Sequence, residues 1–151
     1  MSHVKTQVRD TIVTALGTVT ALTGRVYANR VNPVQSGDMP VALVFVTEEE
    51  ITTDTMGHPR HQTRIISVMV DLVVETTEDF DDDLDDLQAA VETVLGGATF
   101  LATMNSAKWR DLTLVATEKA LNGDGKITVA ALRMEYRVEC ATRENNPETL
   151  I

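Results

Sequence analysis

The sequence predicts an α+β fold with two main helices and a sheet of four to five strands, from which a long β-hairpin projects. Apolar residues recur at helical spacing near the N-terminus and again after residue 77, giving each helix one apolar stripe. Two long apolar runs, 41–53 and 64–75, are joined by a turn-rich link, as in a β-hairpin. Near the C-terminus apolar and polar residues alternate, which is typical of a strand with one buried face.

The length and charge of the chain limit its class. Its 151 residues are typical of a single domain, 1–151, and the net charge is −10. Between Arg64 and Lys108 there are ten acidic residues and no base, so the other 13 acidic residues balance the 13 bases. This acidic balance argues against direct, sequence-specific nucleic-acid binding. No apolar run approaches the ~18 residues of a membrane span, and one cysteine forms no internal disulfide, so we expect a soluble cytoplasmic protein without a membrane partner.

The N-terminal part is predicted to contain a helix and a short extended segment. The helix covers residue 3 to about 23, with Ser2 as its N-cap and Gly17 as a possible end or kink. Gly24 then leads into an extended segment at 25–31. Residues 32–40 hold two prolines and a glycine and are predicted to be a loop.

The hairpin and the acidic helix occupy the middle of the chain. Strands 41–53 and 64–75 are expected to pair antiparallel, with the polar link 54–62 as a projecting tip. The helix 78–95 follows, with Thr77 as its cap and acidic residues at its positive end. Its core stripe is Phe80, Leu84, Leu87, Val91 and Leu95.

The C-terminal part reads as a second hairpin. Residues 98–108 are expected to be a short connection, and strands 112–117 and 132–140 flank a turn at 122–125. Residues 142–151 are predicted to be a loose polar tail.

None of the candidate chemical sites is complete. The segment 121–128 resembles the middle of a calcium loop, but Ala120 and Ala131 stand where the first and twelfth ligands are needed. His58 and His61 are too few ligands for zinc, and Cys140 lies on the apolar face of its strand. We therefore expect no catalytic residue, metal or cofactor. One alternative stays open, a small acidic metal- or ligand-binding module that uses the carboxylate face of helix 78–95.

An ordered set of short segments carries a family resemblance over roughly residues 3–140. The set consists of Gly24-Arg25-Val26-Tyr27, Met39-Pro40-Val41, Thr63-Arg64, Asp86-Leu87-Gln88-Ala89-Ala90-Val91 and Leu132-Arg133-Met134-Glu135-Tyr136. In that order the chain resembles the tail terminator proteins of long-tailed bacteriophages, also called tail completion or minor tail protein U-like proteins. The resemblance implies an α+β fold in which two helices pack on one face of a mostly antiparallel sheet.

The resemblance also implies a structural role without catalytic residues. Proteins of this family form a homohexameric ring that caps the tail tube, stops its polymerisation and meets the head–tail connector. The expected partners are therefore other copies of the chain, a tail tube protein and a connector protein. The expected location is the virion tail, after assembly in the host cytoplasm.

Two sets of residues are predicted from this chain alone to matter for a ring. The subunit contacts are expected to use its basic and aromatic residues: Arg25, Tyr27, Arg30, His58, Arg60, His61, Arg64, Arg133 and Arg137. The acidic face of the helix is expected to face solvent or the lumen: Asp79, Asp81, Asp82, Asp83, Asp85 and Asp86. Burying those carboxylates against a like-charged neighbour would cost several kcal/mol.

Overall fold

The computed structural model describes residues 2–28, 40–75, 80–122 and 129–151. Within these ranges three α-helices and six strands follow one another, with a 3₁₀ turn at Thr20–Leu22. In chain order they are α1 (Val4–Leu16), β1 (Val26–Ala28), β2 (Val41–Thr53), β3 (His61–Glu75), α2 (Phe80–Leu95), α3 (Ala98–Ser106), β4 (Asp111–Asn122), β5 (Val129–Arg143) and β6 (Asn146–Leu150).

The six strands form one mixed sheet that curls into a half-barrel. The order is β1-β2-β3-β5-β4, and β6 pairs with the end of β5. β1 runs parallel to β2, whereas the other neighbours are antiparallel. The predicted fold, a mostly antiparallel sheet of four to five strands with two helices, is therefore wrong: the sheet is mixed, and both β6 and α3 are additional elements.

The core lies between the helices and one face of the sheet. α1 contributes a fully buried stripe, Val4, Val8, Ile12 and Leu16, and α2 contributes Leu84, Leu87, Val91 and Leu95. The sheet meets them with alternate residues of β3 and β5: Val68, Val70, Leu72, Leu132, Met134 and Tyr136. The opposite side of the sheet, here called the open face, is half-buried over most of its length.

The first helix is shorter than its sequence predicts. α1 ends at Leu16, with Gly17 as its C-cap, and a turn and the short 3₁₀ segment follow. Threonines on both sides of Gly17 weaken helix formation, which explains the early end. The N-cap is His3 rather than Ser2, because the His3 Nδ1 accepts a hydrogen bond of 3.1 Å from the Lys5 N–H.

The prediction that the β-hairpin projects from the sheet as a two-stranded arm is wrong as well. β2 has the predicted bounds, and β3 begins at His61. However, β5 pairs with β3 along its whole length, from His61 opposite Arg143 to Glu75 opposite Val129. The hairpin is thus supported by a third strand up to its tip, which spans residues 54–60.

The last ten residues are not a loose tail. Thr142 is fully buried within β5, and Leu150 of β6 is buried against the core. The Gln7 side chain of α1 also donates a hydrogen bond of 2.7 Å to the Glu148 carbonyl. These contacts attach the C-terminal strand to the first helix.

Candidate functional site

The hairpin tip gathers three of the predicted contact residues. His58 and His61 are exposed, and Arg60 is half-buried. The His58 Nδ1 lies 2.7 Å from the Glu144 Oε1, and this hydrogen bond lowers the pKa of the Glu144 carboxyl. The backbone N–H of Glu144 also donates to the Arg60 carbonyl at 2.8 Å. The tip is therefore held to the turn that follows β5.

Arg64 is withdrawn from the surface. Its side chain is only 7% exposed. The guanidinium donates to the Glu49 Oε2 at 3.0 Å and to the Thr142 Oγ1 at 2.8 Å. Glu49 is itself 12% exposed, and Lys5 reaches its other oxygen at 3.8 Å. The Arg64 side chain thus stabilises the fold internally and is not available for a subunit contact.

Arg133 and Arg137 lie on the open face. Arg133 forms a bidentate pair with Asp71, at 2.8 and 3.0 Å, and its guanidinium carbon lies 5.5 Å from the centre of the Phe45 ring. These carboxylate bonds raise the pKa of the Arg133 guanidinium. Arg137 lies 3.9 Å from Glu135 and is half exposed. Both arginines remain accessible, so the prediction that they take part in contacts stays a prediction.

Two further predicted contact residues, Arg25 and Tyr27, lie at β1. Arg25 and Tyr27 are half-buried, and the Ala42 N–H donates to the Arg25 carbonyl at 2.9 Å. Gly24 adopts a positive φ of 74°, a conformation that favours glycine, directly before this strand. Arg30 lies outside the described residues. The structure thus distributes the predicted set among the tip, the core, the open face and β1.

The acidic face of α2 is exposed from Asp81 to Asp86, while Asp79 lies outside the described residues. One base, Lys119, lies near these carboxylates in the fold although none lies near them in the sequence. The Lys119 Nζ is 2.8 Å from the Asp85 Oδ1 and 3.3 Å from the Asp81 Oδ1, and these bonds raise the pKa of the Lys119 ammonium. In the described chain Asp82, Asp83 and Asp86 form no ion pair.

Two concave surfaces adjoin the helices. A groove of about 770 Å³ between α1 and α3 is lined by threonines, small residues and Phe100, so its described lining carries no ionisable group. A pocket of about 450 Å³ beside α2 has an apolar floor and three carboxylates, Glu75, Asp83 and Asp86. The second pocket is the more suitable place for a cationic ligand.

Cys140, the single cysteine, is buried in the core. Burial raises the pKa of the Cys140 thiol to about 11, which disfavours the reactive thiolate. Over the described ranges no three His, Cys, Asp or Glu residues are grouped closely enough to hold a metal ion. In the same ranges no single helix is long and apolar enough to cross a bilayer. Only α2 and α3 taken together, with a bend of 50° between them, have the length and composition of a membrane-spanning segment.

The sequence does not reveal the ion-pair partners of most of the charged side chains. Glu49, Lys119 and Glu144 come close to their partners only through the sheet pairing and helix packing. The Asp71–Arg133 pair had a local signal, because both residues occupy polar positions of strands and the register places them directly opposite each other. Matching charges across the predicted strands would have found this pair and the Glu49–Arg64 pair of the predicted hairpin, but not the other two.

Comparisons with known proteins add only distant likenesses, found among solved structures. No protein-family model matches the chain, and neither does any curated protein sequence. A solved structure described as the virion of a native gene transfer agent particle contains a similar chain with 13% identity and a TM-score of 0.40. The match covers 85% of this chain and 84% of the other. A likeness at this level carries no argument about function.

Proposed function

We propose that the protein is a structural component of a phage-like virion and, more specifically, a tail terminator. In this role copies of the chain form a homohexameric ring that caps the tail tube, stops its polymerisation and presents a surface to a head–tail connector protein. The chain acts by assembly, without catalysis and without a cofactor. It acts in the virion tail after assembly in the host cytoplasm.

The observation that carries the proposal is where the resembling segments fall in the structure. Gly24 has its positive φ immediately before β1, and Arg64 is the buried charge that ties β3 to β2. Leu87 and Val91 belong to the core stripe of α2. The segment 132–136 supplies alternate core residues of β5. These four segments thus each supply at least one residue at a joint or in the core.

The size of the particle in solution tests the proposal. Sedimentation velocity over a range of concentrations, combined with electron microscopy, should show closed rings of one size. Rings added to polymerising tube protein from the same genome should stop tube growth. A chain that stays monomeric at every concentration, both alone and with tube protein, would contradict the proposal.

The pocket beside α2 favours a second candidate, a small acidic module that binds a cationic organic ligand through carboxylates that are too far apart to share one metal ion. Glu75, Asp83 and Asp86 have no ion-pair partner in the described chain and share an apolar floor with Leu87. Calorimetric titration with a small organic dication separates the two functions. Saturable binding by a monomer that does not assemble would favour the binding module over the terminator.

A further inference from the structure

Two strands of the sheet have a backbone edge with which no described residue pairs. β4 ends the strand order, and its partner in the described chain is β5 alone. At the other side β1 covers β2 only from Ala42 to Val44. Residues 45–53 of β2 therefore pair, among the described residues, with β3 only. Unpaired N–H and C=O groups on such edges are a template for a strand of another chain.

Exposed apolar side chains are concentrated on these edges. Three of the six exposed large hydrophobic residues in the described chain belong to them: Ile51 at 46%, Val115 at 42% and Leu121 at 62%. Natural edge strands are usually protected by proline or outward-pointing lysine. Neither strand contains proline, and the one lysine of β4, Lys119, is turned to the carboxylates of α2. Register shifts at Thr47 of β2 and at Val115 of β4 interrupt the two strands only locally.

The charges beside the two edges are complementary. Glu48 and Glu50 of β2 are exposed on the open face and form no ion pair in the described chain. Lys108 and Arg110 are exposed directly before β4. The Arg110 guanidinium donates a hydrogen bond of 3.3 Å to Thr63, which lies on the same open face as the two glutamates.

The register places Glu50 level with Asp111, the residue after Arg110, and Glu48 level with Thr113. Asp111 pairs with Glu139, Glu139 with Ile65, and Ile65 with Glu50. β2 and β4 run in opposite directions, because three antiparallel steps separate them. A rotation about an axis along the strands therefore brings β2 of a second copy antiparallel to β4, with its glutamates beside the start of β4.

Asp111 is the acidic residue closest to Glu50 in this arrangement. Its carboxylate accepts hydrogen bonds from the Leu112 N–H at 2.9 Å and from the Thr113 hydroxyl at 3.1 Å. The carboxylate is thus engaged within its own strand, which reduces its repulsion of the neighbour's glutamate.

We infer, on the basis of the proposed function, that β4 of each copy pairs antiparallel with residues 45–53 of β2 in the next copy. The partner is a second copy of this chain, and the contact is head-to-tail, because the two strands differ. Head-to-tail contacts generate a ring when the rotation closes. The sheet then continues from one subunit to the next, and the pairs between Glu48 or Glu50 and Lys108 or Arg110 select this register.

A charge exchange tests the pairing. The variants E48K/E50K and K108E/R110E should each weaken self-association at least about tenfold, equivalent to about 1.4 kcal/mol. The quadruple variant, which exchanges both charge pairs, should restore it to within about threefold. A matched control, D82K/D83K, has the same charge change as E48K/E50K but lies on α2, so it should not weaken assembly. Failure of the quadruple variant to recover would overturn the register.

Amide hydrogen exchange identifies the edges directly. Assembly of the unmodified chain should slow exchange in both β4 and residues 45–53, because outward amides gain acceptors. Rings in which both strands exchange as in the monomer would overturn the edge pairing and leave the terminator proposal intact. Protection of β4 alone would mean that two β4 strands pair, which also overturns the head-to-tail contact. A chain that never assembles would refute both proposals.

Discussion

Removing the Glu49 carboxylate should destabilise the protein strongly, because it leaves the Arg64 guanidinium buried without a counter-charge. Arg64 is 7% exposed and its bond to Glu49 is 3.0 Å long, so the pair is largely desolvated. Breaking a buried ion pair by removing one partner costs about 3–5 kcal/mol. Glu49 is 12% exposed, and the remaining bond of Arg64 to Thr142 persists, so we expect the lower end, about 3 kcal/mol, for Glu49→Leu.

The matched double variant separates this effect from a simple loss of contact. Replacing both partners, as in E49L/R64M, removes the unpaired charge and fills the same space with apolar groups. Such replacements of buried pairs are often neutral or stabilising. We therefore expect E49L/R64M to lie within about 1 kcal/mol of the unmodified chain, well above E49L alone. Lys5→Ala is a control with a small effect, because Lys5 is 42% exposed and 3.8 Å from Glu49.

Urea unfolding followed by the fluorescence of the single tryptophan, Trp109, measures these free energies, since its side chain is buried. A loss of 3 kcal/mol corresponds to a melting temperature lower by about 6–12 °C in a chain of this length. The measurement belongs at low protein concentration, where assembly does not contribute. A cost below 1 kcal/mol for E49L, or a double variant as unstable as the sum of the single ones, would refute the argument.

Three further predictions concern titration, reactivity and salt. Burial lowers the pKa of His3, and its Nδ1 caps α1 only when it is unprotonated. The free energy of unfolding should therefore decrease as the pH falls from about 6.5, the pKa in the unfolded chain, through the lowered pKa of the folded chain. The variant H3N, in which the side chain can still cap the helix, should remove this dependence when unfolding is measured at several pH values. With its pKa raised to about 11, Cys140 should react with a thiol reagent at pH 8 only at the rate at which the fold opens; labelling as fast as that of a free thiol would refute this. Raising the salt concentration from 0.01 to 0.1 M should promote self-association, because it screens the repulsion between subunits of charge −10. In sedimentation experiments the variant D82N/D83N/D86N should show a weaker dependence of self-association on salt. Rings that dissociate as the salt concentration rises would contradict this prediction.

The elements that could be predicted from the sequence have long and consistent periodicity. β2 has the predicted bounds, and the core stripe of α2 from Leu84 to Leu95 is buried as expected. The predicted strand 132–140, in which five apolar residues alternate with polar ones, lies within β5, which extends three residues further at each end. A single face buried over many residues leaves little choice of register.

The elements that could not be predicted depend on partners distant in sequence. β1 has only three residues and is a strand because it pairs with Ala42–Val44, which no local pattern reveals. β6 contains Pro147 and buries only Leu150, so its sequence resembles a loop. α3 follows two glycines and buries Phe100 alone, without an amphipathic stripe. Packing against the rest of the fold, rather than local propensity, decides these three segments.

The acidic segment and the proposed strand pairing do not oppose each other at moderate salt. Lys119 lies against the acidic residues at the start of α2. Across the sheet its pairing leads from Leu132 and Leu72 to Ala42, so Lys119 lies at the same position along the strands as Ala42. Asp111 lies at the position of Glu50. The eight residues from Asp111 to Lys119 span about 25 Å along the strand. This separation exceeds the Debye length of ~10 Å at 0.1 M salt and falls within the ~30 Å at 0.01 M. The acidic residues of α2 should therefore repel the neighbour's glutamates only at low salt, which explains why screening should favour assembly even though the contact itself includes ion pairs.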